Sequence, residues 1–265
     1  MTTNTHPELD SVEQKIRQRV NISANPLETN PVINQPSGNI PNTPLASSTI
    51  AFLLGGVFVF GLYTALCDIS ASAWLLTYQL GAFISAWAFF HWAEFAVTAG
   101  WNFEKCSVDS YLLDNGSMYH IANGTALAEY VITRYFIPSS KSWPYVSQFG
   151  IVLVILGQWL RSTAMIHAST NFSHTVAFQK RDTHRLVTDG VYGWFRHPSY
   201  AGFYYWAIGT QLVLQNPLTF LLFSILLWRF FYYRTRAEEN ALMRFFGDEY
   251  KAYRQRVGTK IPFVP

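Results

Sequence analysis

Five consecutive residues, Arg196-His197-Pro198-Ser199-Tyr200, open a long uncharged stretch of the chain. Pro198 fits the first turn of a helix, where its missing N–H costs nothing. Arg196 and His197 then sit at a helix mouth, where unbonded N–H groups and the positive end of the helix dipole favour an anion such as a carboxylate or phosphate. A basic residue beside aromatics is also an ordinary anchor at a membrane interface, and the residues alone leave both readings open. A second cluster, Arg234, Arg236, Glu238 and Glu239, follows the aromatic run Trp228–Tyr233. Arg234 and Glu238 are four apart and share a helix face. They form either a surface ion pair of little worth or a site where one charge meets a ligand anion and the other a ligand cation. Arg161, at the end of another apolar run, either caps that run or faces the same chemistry.

Other chemistries lack their residues. The seven histidines supply no HxxH or HxxHH pair and no HExxH, so neither a membrane di-iron centre nor a zincin is supported. Neither GxxxxGK nor GxGxxG occurs, so phosphate-binding loops and dinucleotide folds have no footing. Two cysteines, Cys67 and Cys106, cannot build a disulfide framework or a cysteine-rich zinc site.

The elements that carry these clusters follow from composition. Of 265 residues, 50% are hydrophobic, 17% aromatic and only 13% charged, where an average soluble domain has about 25% charged. That deficit excludes a disordered chain and a highly charged nucleic-acid binder, and makes an all-helical, polytopic membrane protein the leading class. Residues 1–45 are polar. Leu9, Val12, Ile16 and Val20 fall at helical spacing within them, as in a surface helix or a frayed tail. Residues 21–49 read as a proline- and asparagine-rich linker. Apolar runs predict spans over 45–67, from 69 to past His91 and Glu94, and over 119–137, with a polar loop at 98–118; a fourth span covers 141–161. The third run carries Glu129 and Arg134, so it either spans with these charges facing a protein interior or water, or lies on the membrane surface. Thirty-two residues without Asp, Glu, Lys or Arg separate Arg196 from Arg229, with Asn216-Pro217 near the middle. This is a tight helical hairpin, 198–215 and 217–233. About six spans result. Beyond the hairpin, Leu242, Phe246, Tyr250, Tyr253 and Val257 form a helical stripe resting on the membrane region. Twelve of the nineteen Lys/Arg follow residue 167, four in 167–196 and eight in 229–265, which places both stretches and both termini on the cytosolic side. Loop 98–118 then shares that side, and the sequon at Asn115 goes unused. The chain divides into a polar region (1–45), N-terminal spans (46–140) and a catalytic region (141–265).

The ordered set His184-Arg-Leu-Val-Thr-Asp-Gly-Val-Tyr-Gly-Trp-Phe-Arg-His-Pro-Ser-Tyr200, a Gly/aromatic hairpin, Arg234, Glu238-Glu239 and Phe245-Phe-Gly-Asp-Glu-Tyr250 resembles the isoprenylcysteine carboxyl methyltransferase family of the endoplasmic reticulum. The resemblance is close over 145–260 and looser over 50–140, where His91-Trp-Ala-Glu-Phe agrees. It implies a membrane helix bundle with a cytosolic cofactor pocket and S-adenosylmethionine as donor. The implied acceptor is the C-terminal prenylcysteine carboxylate of small GTPases and other CaaX proteins, in the endoplasmic reticulum membrane, with no nucleic-acid partner and no metal. By the same resemblance, cofactor contacts fall on His184, Arg185, Leu186, Val187, Tyr192, His197, Pro198, Ser199, Tyr200 and Glu238, and the substrate arginine on Arg234. Two departures stand out. Ala177, with Gln179 nearby, occupies a position where relatives can carry a cofactor-contacting glutamine, and residues 1–45 cannot supply the two extra spans of some animal relatives.

An α-carboxyl group has a pKa of about 3.5 and is already a nucleophile at neutral pH. The absence of a catalytic dyad therefore fits a carboxyl methyl transfer. A sulfonium cation and a carboxylate lose their charges as the methyl moves, so a dry site and good positioning suffice. Arg161, at the end of the fourth run, is a catalytic candidate beside Arg234. A membrane sterol reductase using a nicotinamide cofactor, a phospholipid N-methyltransferase and a non-enzymatic membrane scaffold are the alternatives.

Overall fold

The computed structural model describes residues 40–67, 74–174, 180 and 184–265. The N-terminal surface-helix segment, most of the linker, the first residues of the second expected span, and Ala177 and Gln179 lie outside them. The described residues fold into six α-helices: α1 (Pro44–Leu66), α2 (Tyr78–Trp101), α3 (Ser117–Phe136), α4 (Val146–Ala168), α5 (Pro198–Leu214) and α6 (Pro217–Arg256). Short 3-10 turns fill the connections.

Local chemistry sets the helix ends. The Thr43 hydroxyl accepts from the Ala46 N–H at 3.1 Å and starts α1. Thr77 caps α2 the same way, accepting from Leu80 N–H, and also bonds the Tyr130 hydroxyl of α3. That cap starts α2 at Tyr78, nine residues later than the uncharged run suggests. At the hairpin turn, Gln215 adopts the left-handed conformation (φ 51°) and Pro217 opens α6. Glu129 supplies the missing cap: its carboxylate accepts from the backbone N–H groups of Leu218 (2.9 Å) and Thr219 (2.6 Å). The charge that weakened the third apolar run is thus a helix cap facing the interior. Lys141, in the preceding connection, donates to the Gln215 carbonyl and the Asn216 side chain at 2.9 and 2.7 Å. Burial pulls its ammonium down to about 8, against the opposing pull of Glu129.

Three described helices, Pro44–Leu66, Tyr78–Trp101 and Val146–Asn171, are long and apolar enough to cross a membrane. The others fall where the six-span reading expects them but miss that standard for physical reasons. Helix α3 carries Glu129 and Arg134, and α5 has only 17 residues and buries most of them among its neighbours. Helix α6 is longer than expected. It runs 40 residues from the hairpin into the tail, turning at Gly247 (φ 52°).

Close backbone packing binds α4 to α5. Gly150 and Gly157 face Gly209 and Gly202, each pair seven residues apart on its helix. A Cβ at Gly157 would lie 2.6 Å from Trp206 N and 2.7 Å from the Gly202 carbonyl oxygen. A Cβ at Gly202 would lie 2.7 Å from Arg161 N. The contact places Arg161 against the first turn of α5. Helix α4 ends at Ala168, two turns beyond the expected end, so Arg161 lies within the helix and is buried.

The polar segments gather at one end of the bundle. Asn42 accepts from Val108 N–H, and Ser47 meets the Tyr111 hydroxyl, joining the start of α1 to the α2–α3 loop. Lys105 donates to the carbonyls of Thr170 and Phe172, joining that loop to the α4–α5 connection. Arg196 joins that connection to the C-terminal tail through the Pro265 carbonyl.

Gly157→Ala should lower the melting temperature in detergent by several degrees, since overpacking a tight core costs about 1–3 kcal/mol. Gly55→Ala, where an added Cβ meets nothing within 4 Å, should leave it unchanged or raise it. Equal tolerance of both changes would contradict the close α4–α5 contact.

Candidate active site

Two cavities open at the polar end of the bundle and share a wall. The first, about 130 Å³, is lined by Arg185, Leu186, Val187, Tyr192, His197, Pro198, Ser199, Tyr200 and Glu238, together with Leu242, Tyr250 and Tyr253 from the far part of α6. The second, about 110 Å³, is lined by Arg161, His174, Arg234, Leu112 and Asn115, with Phe203, Phe230 and Phe231 as its apolar side. Phe172, Ser173, Ser199 and Tyr200 line both.

The expected residues therefore separate into two groups. Nine of the ten positions assigned to the cofactor line the first cavity. His184 is not among its lining residues; its ring packs against Phe245 at 6.3 Å. Arg161 and Arg234 line the second cavity. Ser199 and Tyr200 serve both because the first turn of α5 forms the partition.

Tyr200 joins the two charges that the sequence sets four residues apart. Arg234 Nε donates to the Tyr200 hydroxyl at 2.8 Å, and that hydroxyl donates to Glu238 Oε2 at 2.5 Å. Arg234 and Glu238 thus face different cavities and meet through a phenol. The Tyr200 ring also stacks on His197, with centroids 5.5 Å apart and planes within 4°, and the Arg234 guanidinium lies over it at 5.2 Å.

Arg161 is held more firmly. Its Nε and Nη2 bond both oxygens of Glu94 at 2.5 and 2.8 Å, and Nη1 donates to the Ser199 hydroxyl at 3.1 Å. Its guanidinium lies over the rings of Phe90 and Phe203. His174 Nε2 completes the cluster, 3.0 Å from Glu94 Oε2. Glu94 and Arg161 are both buried. A bidentate pair of this kind is the arrangement in which a buried carboxylate is tolerated.

Arg196 has a different task. It donates to Glu239 at 2.6 Å and to the carbonyls of Val257 (2.8 Å) and Pro265 (2.6 Å), so its guanidinium is occupied by the tail. Arg196 also lines the first cavity, at the mouth of α5. Glu239 also meets His197 at 3.3 Å and Arg254 at 3.3 Å. Burial pushes the Glu239 carboxyl up, but the hydrogen bond and charge of His197, with Arg196 and Arg254, outweigh it and hold the group below its ordinary 4.5. Across the first cavity, the Tyr253 hydroxyl donates to the Tyr192 carbonyl at 2.7 Å. The Tyr250 hydroxyl is buried and has no hydrogen-bond partner among the described residues.

These positions compare directly with known proteins. Residues 150–244 match the family model described as "Isoprenylcysteine carboxyl methyltransferase (ICMT) family". The chain is 42% identical over 207 residues to a human protein-S-isoprenylcysteine O-methyltransferase, covering 78% of this chain and 72% of that protein. It is 44% identical over 188 residues to the Saccharomyces cerevisiae enzyme of the same name, covering 69% and 79%. The chain belongs to the isoprenylcysteine carboxyl methyltransferase family. A solved structure titled as the eukaryotic intramembrane Ras methyltransferase ICMT matches with a TM-score of 0.76 and 38% identity, over 83% of this chain and 82% of that one. The family segment covers most of α4, all of α5 and most of α6, and contains the partition and most of the residues lining the two cavities.

Several lining residues were outside the sequence-derived set. Phe172, Ser173, His174 and Asn115 lie on loops that carry no periodicity. Glu94 was visible as a charge in an apolar run, with nothing local to name Arg161 as its partner 67 residues away. Tyr250 and Tyr253 were visible as a buried stripe, without a sign that it closes a cavity.

The tail clamp should be acid-sensitive. Glu239 has a depressed carboxyl, so its stabilisation is full above about 4.5 and is lost as pH falls through its lower folded value. Glu239→Gln should lower the melting temperature at neutral pH and flatten its decline below pH 4.5, measured by thermal unfolding in detergent across pH 3–7. An acid limb unchanged by Glu239→Gln would contradict this.

Proposed function

We propose that this chain methylates the free carboxylate of a C-terminal prenylated cysteine, with S-adenosylmethionine as donor. The donor would occupy the first cavity and the acceptor the second. Methyl esterification is the family's activity. The single observation that carries the division is the partition at Ser199–Tyr200, with Glu238 on one side and Arg234 on the other.

The first cavity suits the donor. It combines a carboxylate (Glu238), the N-terminal turn of α5, apolar Leu186, Val187 and Leu242, and the buried Tyr250 hydroxyl, which has no partner among the described residues. Such a set fits a ligand bearing hydroxyls, an ammonium and a carboxylate. Glu238 would take a hydroxyl or the ammonium, and the α5 turn the carboxylate. Arg185, Leu186, Val187, Tyr192, His197, Pro198, Ser199 and Tyr200 would form the walls, with His184 behind them. S-adenosylmethionine supplies an electrophilic methyl on a sulfonium.

The second cavity suits a prenylated carboxylate. Arg234 and Arg161 give it positive charge, and Phe203, Phe230 and Phe231 give it an apolar side. Arg234 is engaged at Nε by Tyr200 and at Nη2 by the His174 carbonyl. Held at these two points, it can align a carboxylate without pairing to it so tightly that the nucleophile is blunted. Arg161 is the catalytic candidate on the opposite wall. Fixed by Glu94 and Ser199, it contributes field toward the carboxylate rather than a mobile contact. No general base is required, because the acceptor is ionised at neutral pH. Charge is lost as the methyl moves, so a dry partition favours the transition state.

Small GTPases and other CaaX proteins as acceptors, the endoplasmic reticulum membrane as the location, and cytosolic termini complete the reading. The Lys/Arg bias and the gathering of polar segments at one end support that orientation. Residues 141–265 form the catalytic region after a polar 1–45. The spans of 46–140 add Glu94, Leu112 and Asn115 behind and beside the acceptor site.

Membranes expressing the chain should transfer label from S-adenosylmethionine to N-acetyl-S-farnesylcysteine as a base-labile ester. Glu238→Ala should raise the donor KM about tenfold or more, and Arg234→Ala the acceptor KM by a similar factor, as for lost charge-assisted hydrogen bonds. Absence of label despite good expression would overturn the reading, and the opposite pairing of KM effects would overturn the assignment of the two cavities.

A further inference from the structure

The two arginines of the second cavity sit on different helices, Arg161 on α4 and Arg234 on α6. One residue touches the anchors of both. His174 Nε2 lies 3.0 Å from Glu94 Oε2, the oxygen that also accepts from Arg161 Nη2. The His174 backbone carbonyl accepts from Arg234 Nη2 at 2.5 Å. Phe172 packs edge-on against the imidazole at 5.1 Å and 87°, fixing its plane. The ring itself lines the cavity.

We propose that His174 is a positioning residue of the acceptor site, holding Glu94 through its ring and Arg234 through its carbonyl so that the two guanidiniums keep their places around the acceptor carboxylate. The inference rests on the reading of the second cavity given above. Its physical basis is electrostatic as well as steric. Glu94 is a buried carboxylate close to a site meant for another carboxylate. Arg161 covers Glu94 on one side, and the His174 N–H covers it on the side of the α4–α5 connection. Without that donor, Glu94 Oε2 loses a bond and its charge acts more strongly on the bound acceptor, while the Glu94–Arg161 pair loses the contact that fixes it from the loop side. Both effects weaken acceptor binding and spare the donor, because His174 is not part of the first cavity's lining.

The nitrogen in contact is Nε2, which a glutamine amide can imitate and an asparagine amide, reaching only as far as Nδ1, cannot. Kinetics of His174→Ala, His174→Gln and His174→Asn, with N-acetyl-S-farnesylcysteine and S-adenosylmethionine each varied, separate positioning from general damage. The expected result is an acceptor KM raised about tenfold in the alanine and asparagine variants, donor KM within about twofold of wild type, and recovery of most of the acceptor KM in the glutamine variant. An alanine variant with an unchanged acceptor KM would overturn the proposal, as would donor and acceptor KM rising together. A glutamine variant as impaired as asparagine would also overturn it, and this comparison remains available if the alanine variant fails to fold. An inactive wild type would overturn the enzymatic reading and this proposal with it; an active wild type with indifferent variants overturns this proposal alone.

Discussion

The bidentate pair between Glu94 and Arg161 is the interaction on which the site depends. A carboxylate inside an apolar helix bundle is tolerated only with a matched cation and filled lone pairs. Glu94 receives both, from Arg161 Nε and Nη2 and from His174. Removing one partner of such a pair costs about 3–5 kcal/mol, because the other charge remains buried. The pair also dictates packing. Arg161 can reach both Glu94 on α2 and Ser199 on α5 only if α4 lies almost against α5. The facing glycines at 150, 157, 202 and 209 allow that approach. Ser199, fixed from behind by Arg161, begins the partition between the two cavities.

The other arginines divide the remaining work. Arg196 stands beside His197 at the mouth of α5, but its donors go to Glu239 and the tail. It closes the first cavity by holding the far end of α6 and residues 257–265 against the hairpin. Arg234 lies one turn before Glu238 and faces the other cavity, with the Tyr200 hydroxyl between them. A phenol that accepts from a guanidinium and donates to a carboxylate keeps both side chains in place while separating their charges. Such a link suits a reaction in which a cation and an anion meet across the partition. Its value lies in positioning, which is what a methyl transfer between two already reactive groups demands.

Much of this organisation is written in local pattern. Apolar runs locate α1, α3, α5 and the start of α6 to within a few residues, since hydropathy and the Asn216-Pro217 turn are properties of short segments. The order of His184 to Tyr200, Arg234 and Glu238 marks the family and includes residues that line the first cavity and Arg234 of the second. What is illegible locally is pairing. Glu129 reads as a flaw in a span until its carboxylate is found on the N–H groups of Leu218 and Thr219, about ninety residues away. Arg161 reads as the end of a span because the apolar run stops there, whereas α4 continues to Ala168 with Ala164, Met165 and Ala168 buried. The 40-residue α6 defeats a reading by composition, because its second half is polar and only the buried stripe reveals its continuity. His174 belongs to a loop, and nothing in its neighbours signals that its ring and carbonyl face two different helices.

The most direct measurement is a structure of the protein with S-adenosylhomocysteine and a prenylcysteine bound together. The expected result is the thioether in the first cavity beside Glu238 and the carboxylate in the second between Arg161 and Arg234. Sulfur and carboxylate oxygen should then approach past Tyr200 with room for one methyl, so that the reacting atoms come to about 3–3.5 Å. Both ligands on one side of the Ser199–Tyr200 partition, or a carboxylate bound away from Arg234, would contradict it.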